Sequence, residues 1–140
     1  MSVPGNRPPM VVTHEGGVRF AAQIRQHRLT VDQPASGGGE DTAPTPIELL
    51  GASLGTCIAL YVQQFCHTRS LPYQGMRVEV NPQGAHGRIG RFDVRVVLPE
   101  PLQPHHAQML ERVVRSCPAH NTLAHGAEVA VTIEQAIAVA

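Results

Sequence analysis

Three cysteines carry any thiol chemistry open to this chain: Cys57 and Cys66 within "LGASLGTCIALYVQQFCH", and Cys117 within "SCPAHNT". A thiol can pack as a small hydrophobe, ligate zinc, or serve as one half of a redox pair. Cys57 lies among the small residues Gly51, Ala52, Ser53, Gly55 and Thr56, which would let another backbone approach it closely. Cys66 cannot bridge to Cys57 inside a straight helix, because nine residues place it about 180° round and roughly 13 Å along the axis. Cys117 precedes Pro118 and reads as the end of a helix, where the macrodipole raises a thiol's pKa and suits it to resolving rather than attacking. If the helices that carry them pack through their apolar faces, Cys57 and Cys117 could meet in one pocket. A zinc reading takes Cys117 and His120 with Cys57 or Cys66-His67; structural zinc sites, however, draw paired ligands from turns, and Cys57 is mid-helix. The remaining histidines read mostly as solvated surface residues.

The elements that must position these thiols are legible from patterning. Prolines make the first nine residues a loose arm. Short β-type runs broken at Gly16-Gly17 and near Gln26-His27 predict three antiparallel strands, about 10–14, 18–25 and 28–33, followed by a Gly- and Pro-rich loop. Thr45, Pro46 and Glu48 form a capping-box signature. The stripe Leu50, Leu54, Cys57, Ile58, Tyr61, Phe65 then predicts a helix over 46–69. "GMRVEVNP" and "GRFDVRVVLP" alternate as a hairpin turning near Gly84 and Gly87. Pro104 opens a second helix that Pro118 ends, "AHNTLAHG" reads as a turn, and "AEVAVTIEQA" as a last strand. The order βββ-α-ββ-α-β is α+β.

Composition narrows the class. A chain of 140 residues suits one domain, read here as 1–140, and zero formal charge gives no general attraction to nucleic acid or an anionic membrane. There is no uninterrupted apolar run of about 18 residues and no signal-peptide profile at the start, so the expectation is a cytoplasmic protein with reduced thiols.

At "PTPIELLGASLGTCIAL" and "SCPAHNTL", supported by "HRLTVDQP", the chain resembles the family of osmotically inducible protein C and the organic hydroperoxide resistance proteins. That resemblance implies an intertwined α+β homodimer with antiparallel sheets and a long central helix. It implies a cysteine-based peroxidase with a hydroperoxide substrate, an external dithiol reductant, and no metal or bound cofactor. By the same likeness Cys57 is the peroxidatic thiol and Cys117 the resolving one. Two departures stand out. The glutamate that directly follows the proline in the hydroperoxide resistance branch is Ile47 here, with Glu48 one position later and about 180° round the helix from Cys57. The Gly-Gly-Arg-Asp-Gly loop that supplies the family's arginine is also absent. Arg19, in Gly16-Gly17-Val18-Arg19, is the nearest analogue, with Arg25 and Arg28 as alternatives. The rival class is a non-catalytic dimeric module on the same fold that binds an apolar ligand or senses redox state.

Overall fold

A computed structural model describes Gly5 and residues 7–136. The predicted N-terminal arm lies largely outside the described residues. Strands β1 (Val11–Gly16), β2 (Arg19–Ile24) and β3 (His27–Val31) form an antiparallel sheet in sequence order. Helix α1 (Pro46–Thr68) follows, then the hairpin β4 (Arg77–Ala85) and β5 (Arg88–Val97), and then helices α2 (Pro104–Val114) and α3 (Pro118–His125). The α+β reading and the long helix stand.

Local chemistry explains these boundaries. At the start of α1, the Glu48 N–H donates to Thr45 Oγ1 at 3.2 Å, and the Thr45 N–H donates to Glu48 Oε1 at 3.1 Å. The capping box is therefore closed in both directions. The β4–β5 turn is the two residues His86 and Gly87, both at positive φ, the backbone hand that matches the twist of the flanking strands. Strand alternation sends Val78, Val80, Phe92 and Val96 onto the core. On the opposite face Glu79 bridges Arg77 at 3.0 Å and Arg95 at 2.9 Å.

The core is built on α1. Leu54, Cys57, Ile58, Val62, Phe65 and Cys66 join Leu110 and Cys117 in one buried cluster, with hairpin residues packed against it. Gly55 permits the close approach of β4, since a Cβ there would lie 2.9 Å from Val80 Cγ2. By length and composition α1 could cross a membrane, with a mean hydropathy of 1.4, but 44% of that window is already buried inside the molecule.

Three expectations change. Helix α2 stops at Val114, before Cys117. The segment read as a turn is helix α3, because Pro118 occupies its first turn and Cys117 caps it. The segment read as a last strand has no ladder: among the described residues, 126–136 pair with nothing, and Val129, Val131 and Ile133 are about 80% exposed (81%, 78%, 84%). A strand needs a neighbouring edge, and among the described residues none is paired with that segment.

The β1–β3 sheet is similarly unfinished. None of its residues belongs to the core cluster. Met10, Val11, Val12, Phe20 and Leu29 stay exposed, and only Ala21 is buried within it. Its link to α1 is instead tied down by Asp32, whose carboxylate accepts from the N–H groups of Gln33, Glu40 and Thr42 and from the Thr42 hydroxyl. A Cβ on Gly39 would fall 2.0 Å from the Gln33 carbonyl oxygen, so only glycine fits that loop.

Candidate active site

Cys57 is presented by the fourth turn of α1, where the helical stripe turns it into the core at 8% exposure. Cys117 arrives from the other direction, as the N-cap of α3. The residue before a proline is steered away from helical backbone, and Cys117 is accordingly extended, with φ −62 and ψ 135. Both thiols are reduced. Their sulfurs are 3.0 Å apart in a buried contact, with the Cys117 thiol donating to Cys57 Sγ. Two residues sixty positions apart are thus poised one bond away from a disulfide. A bonded pair sits near 2.05 Å, so about 1 Å of approach is needed.

The surroundings of Cys117 act on its proton. Burial pushes the Cys117 thiol above its ordinary value, the contact with Cys57 pushes it further, and the His120 and Ala119 N–H groups offset this in part. The His120 N–H donates to Cys117 Sγ at 3.3 Å. The thiol is raised as the sequence predicts, but for a different reason. Cys117 stands at a helix N-terminus, not a C-terminus, and desolvation rather than the dipole keeps its proton on.

Two largely apolar grooves reach Ile58, next to Cys57 in the chain, and His120, whose N–H meets Cys117. One, of about 810 Å³, is lined by Leu50, Leu54, Ile58, Phe92 and Leu123, with Arg88, Arg91 and His120 at its polar points. The other, of about 930 Å³, runs along β5 and α2 past Val96, Leu98, Leu102 and Leu110. Ile58, Arg91, Phe92, Val94 and His120 line both, so they form the wall that the two grooves share.

The other predicted residues are not brought to the thiols within this chain. Glu48 is occupied in the capping box, and its bonds to Thr45 hold its carboxyl below the ordinary value. Arg19 is half-buried at the start of β2. Arg25 sits in the β2–β3 turn at φ 55, and Arg28 pairs with Glu15 at 2.8 Å. Among the described residues, no hydrogen bond joins Glu48 or any of these arginines to either cysteine. Cys66 is fully buried, and burial raises its thiol against a smaller opposing effect of Arg69. Among the described residues no three His, Cys, Asp or Glu side chains converge as a metal site, and His120 meets Cys117 Sγ through its backbone.

Sequence reasoning passed over two residues. The sequence offers His120 only as a zinc ligand, although Cys-x-x-His at a helix start is the spacing that brings its N–H onto the thiol. Arg88, on the groove wall beside the hairpin turn, has no distinguishing spacing at all.

An osmotically inducible family model, described as OsmC-like protein, matches residues 38–132. A candidate osmotic stress induced and detoxification response protein from Psychrobacter arcticus superposes with a TM-score of 0.76 at 20% identity, covering 84% of this chain and 89% of its own. An organic hydroperoxide resistance protein OsmC from Legionella pneumophila gives 0.55 at 18% identity, covering 85% and 91%. A candidate organic hydroperoxide resistance protein from Vibrio cholerae, with captopril bound in one of its active sites, gives 0.56 at 19% identity, covering 85% and 86%. A comparison with curated protein sequences returned no match. With more than half of its length matched by the family model and its fold shared with these structures, the chain belongs to the OsmC-like family.

Proposed function

We propose that the protein is a thiol-dependent reductase of organic hydroperoxides, with Cys57 as the peroxidatic thiol and Cys117 as the resolving one. The observation that carries this reading is the 3.0 Å contact between two reduced, buried thiols beside an apolar groove. The name hydroperoxide resistance, borne by family relatives, supports it. In the first step the Cys57 thiolate attacks the distal peroxide oxygen; the O–O bond breaks, an alcohol leaves after taking a proton, and a sulfenic acid remains. Cys117 then displaces hydroxide from that sulfur, giving a Cys57–Cys117 disulfide and water. An external dithiol returns both thiols through exchange. The groove's Leu50, Leu54 and Phe92 favour an apolar organic peroxide.

A buried thiolate needs a compensating cation, and Arg19, with Arg25 and Arg28 behind it, is the proposed source, delivered by a second copy of the chain. Glu48 is retained as the candidate that orients it. A homodimer follows from the uncovered β1–β3 sheet and the unpaired 126–136 segment. Cytoplasmic residence, with its reducing thiol pool, suits three free cysteines. Among the described residues neither Glu48 nor an arginine bonds Cys57, and this favours the second reading, an apolar-ligand or redox-sensing module. Peroxide consumption in the presence of a dithiol separates the two. Steady turnover that disappears in Cys57→Ser supports the enzyme, and no turnover by the unsubstituted protein sinks it.

A further inference from the structure

We infer that His120 is the proton carrier of the cysteine pair, accepting the Cys117 proton as that thiol attacks and delivering it to the group leaving Cys57. This inference rests on the thiol-redox reading of the Cys57–Cys117 pair. Three observations converge on it. His120 Nδ1 is a buried ring nitrogen with no hydrogen-bond partner among the described residues. Such a nitrogen is uncommon in a folded protein unless something else is meant to meet it. His120 also lies in the wall that the two grooves share. Its own N–H is already on Cys117 Sγ at 3.3 Å, which fixes the root of the imidazole within one helical turn of the thiol.

The chemistry of the pair requires such a group. Cys117 is held as a thiol by burial and by its neighbour, whereas the species that attacks sulfur is the thiolate. Imidazole is the side chain that exchanges a proton near neutrality, and one within reach directly or through a water can take it. The balance closes. The Cys117 S–H bond breaks, its proton passes to neutral His120, and the sulfur pair attacks Cys57. The Cys57 S–O bond then breaks with its electrons on oxygen, and the imidazolium returns the proton to make water. His120 ends neutral, with no other acid consumed.

The test needs no peroxide. With Cys66→Ala in every protein, 2,2′-dipyridyl disulfide is added, and release of its thiol product is followed by absorbance. The first release marks a mixed disulfide on one thiol of the pair, and the second marks closure of Cys57–Cys117. For His120→Gln the first release should stay within about twofold, while the second slows roughly 10²-fold near neutral pH. That gap should narrow as pH rises and the thiol ionises unaided. For His120→Ala, free imidazole in the buffer should restore the second release, which a merely structural histidine would not allow. Superimposable second-release rates and pH profiles in His120→Gln and unsubstituted protein would overturn the inference. Should both variants lose their fold by circular dichroism, the pH profile of unsubstituted His120 protein decides. A rise following imidazole deprotonation upholds the inference, and a single rise with thiol ionisation overturns it. Normal exchange combined with no peroxide turnover would sink the proposed peroxidase and leave the role of His120 standing.

Discussion

Cys57 and Cys117 differ less in type than in surroundings, and their consequences on substitution should differ in kind. Cys57→Ser is expected to abolish peroxide reduction outright. Cys117→Ser should complete a first turnover and then stall, its Cys57 accumulating the two added oxygens of a sulfinic acid because no partner traps the sulfenic acid. Intact mass after stepwise hydroperoxide addition distinguishes these outcomes, and identical spectra for the two variants would remove the division of labour. Asp32 offers a residue-scale prediction about stability. Its hydrogen bonds from Thr42, Gln33 and Glu40 lower its carboxyl from 3.8 to about 2. A depressed folded-state value stabilises the protein above the unfolded value, and that contribution is lost as pH falls from about 4 through about 2. Thermal melts of Asp32→Asn should therefore show a weaker loss of stability than the unsubstituted protein across that window, from a lower starting point.

At the scale of elements, the seam between α1 and β4 depends on how closely backbone can approach backbone. Gly51 and Gly55 both face the hairpin, but a Cβ at Gly51 meets its neighbours at an ordinary 3.7 Å, whereas one at Gly55 meets Val80 at 2.9 Å. Gly51→Ala should therefore gain helix propensity of about 0.5–1 kcal/mol. Gly55→Leu should lose about 1–3 kcal/mol by overpacking. Urea unfolding reads both, and equal effects at the two sites would show that the seam yields freely. The capping box is the other element-scale device. Thr45→Ala removes the hydroxyl that accepts from Glu48 and should cost about 0.5–2 kcal/mol in the same measurement.

At the scale of the whole molecule, two apolar surfaces lack cover: one face of β1–β3 and the alternating Val129, Val131, Ile133 segment. An exposed strand-like segment and an open sheet are surfaces that a second copy can complete, and an obligate dimer of this kind buries well over about 2,000 Å². Sedimentation at micromolar concentration should find a dimer. Val131→Asp with Ile133→Asp should yield monomer or unfolded chain, and a stable monomer of the unsubstituted protein would refute the assembly. Loss of the dimer should also remove peroxide turnover if the activating arginine comes from the second copy.

The sequence by itself determined what is local. The α1 start was readable because Thr45, Pro46 and Glu48 satisfy helix-end donors without distant help, and the β4–β5 hairpin because its alternation and glycines are contiguous. Both cysteine contexts were equally readable, as residue types in short motifs. Only the tertiary structure decided the rest. Helix α3 was hidden because a proline after a cysteine can end one helix or begin another, and the choice fell to the Cys117 cap and to packing on α1. The segment 127–136 has the alternation of a strand, yet strand identity depends on a neighbouring edge, a non-local partner that the pattern does not encode. The 3.0 Å sulfur contact and the place of His120 beside it arise from two helices meeting across sixty residues of chain, a distance that spacing cannot express.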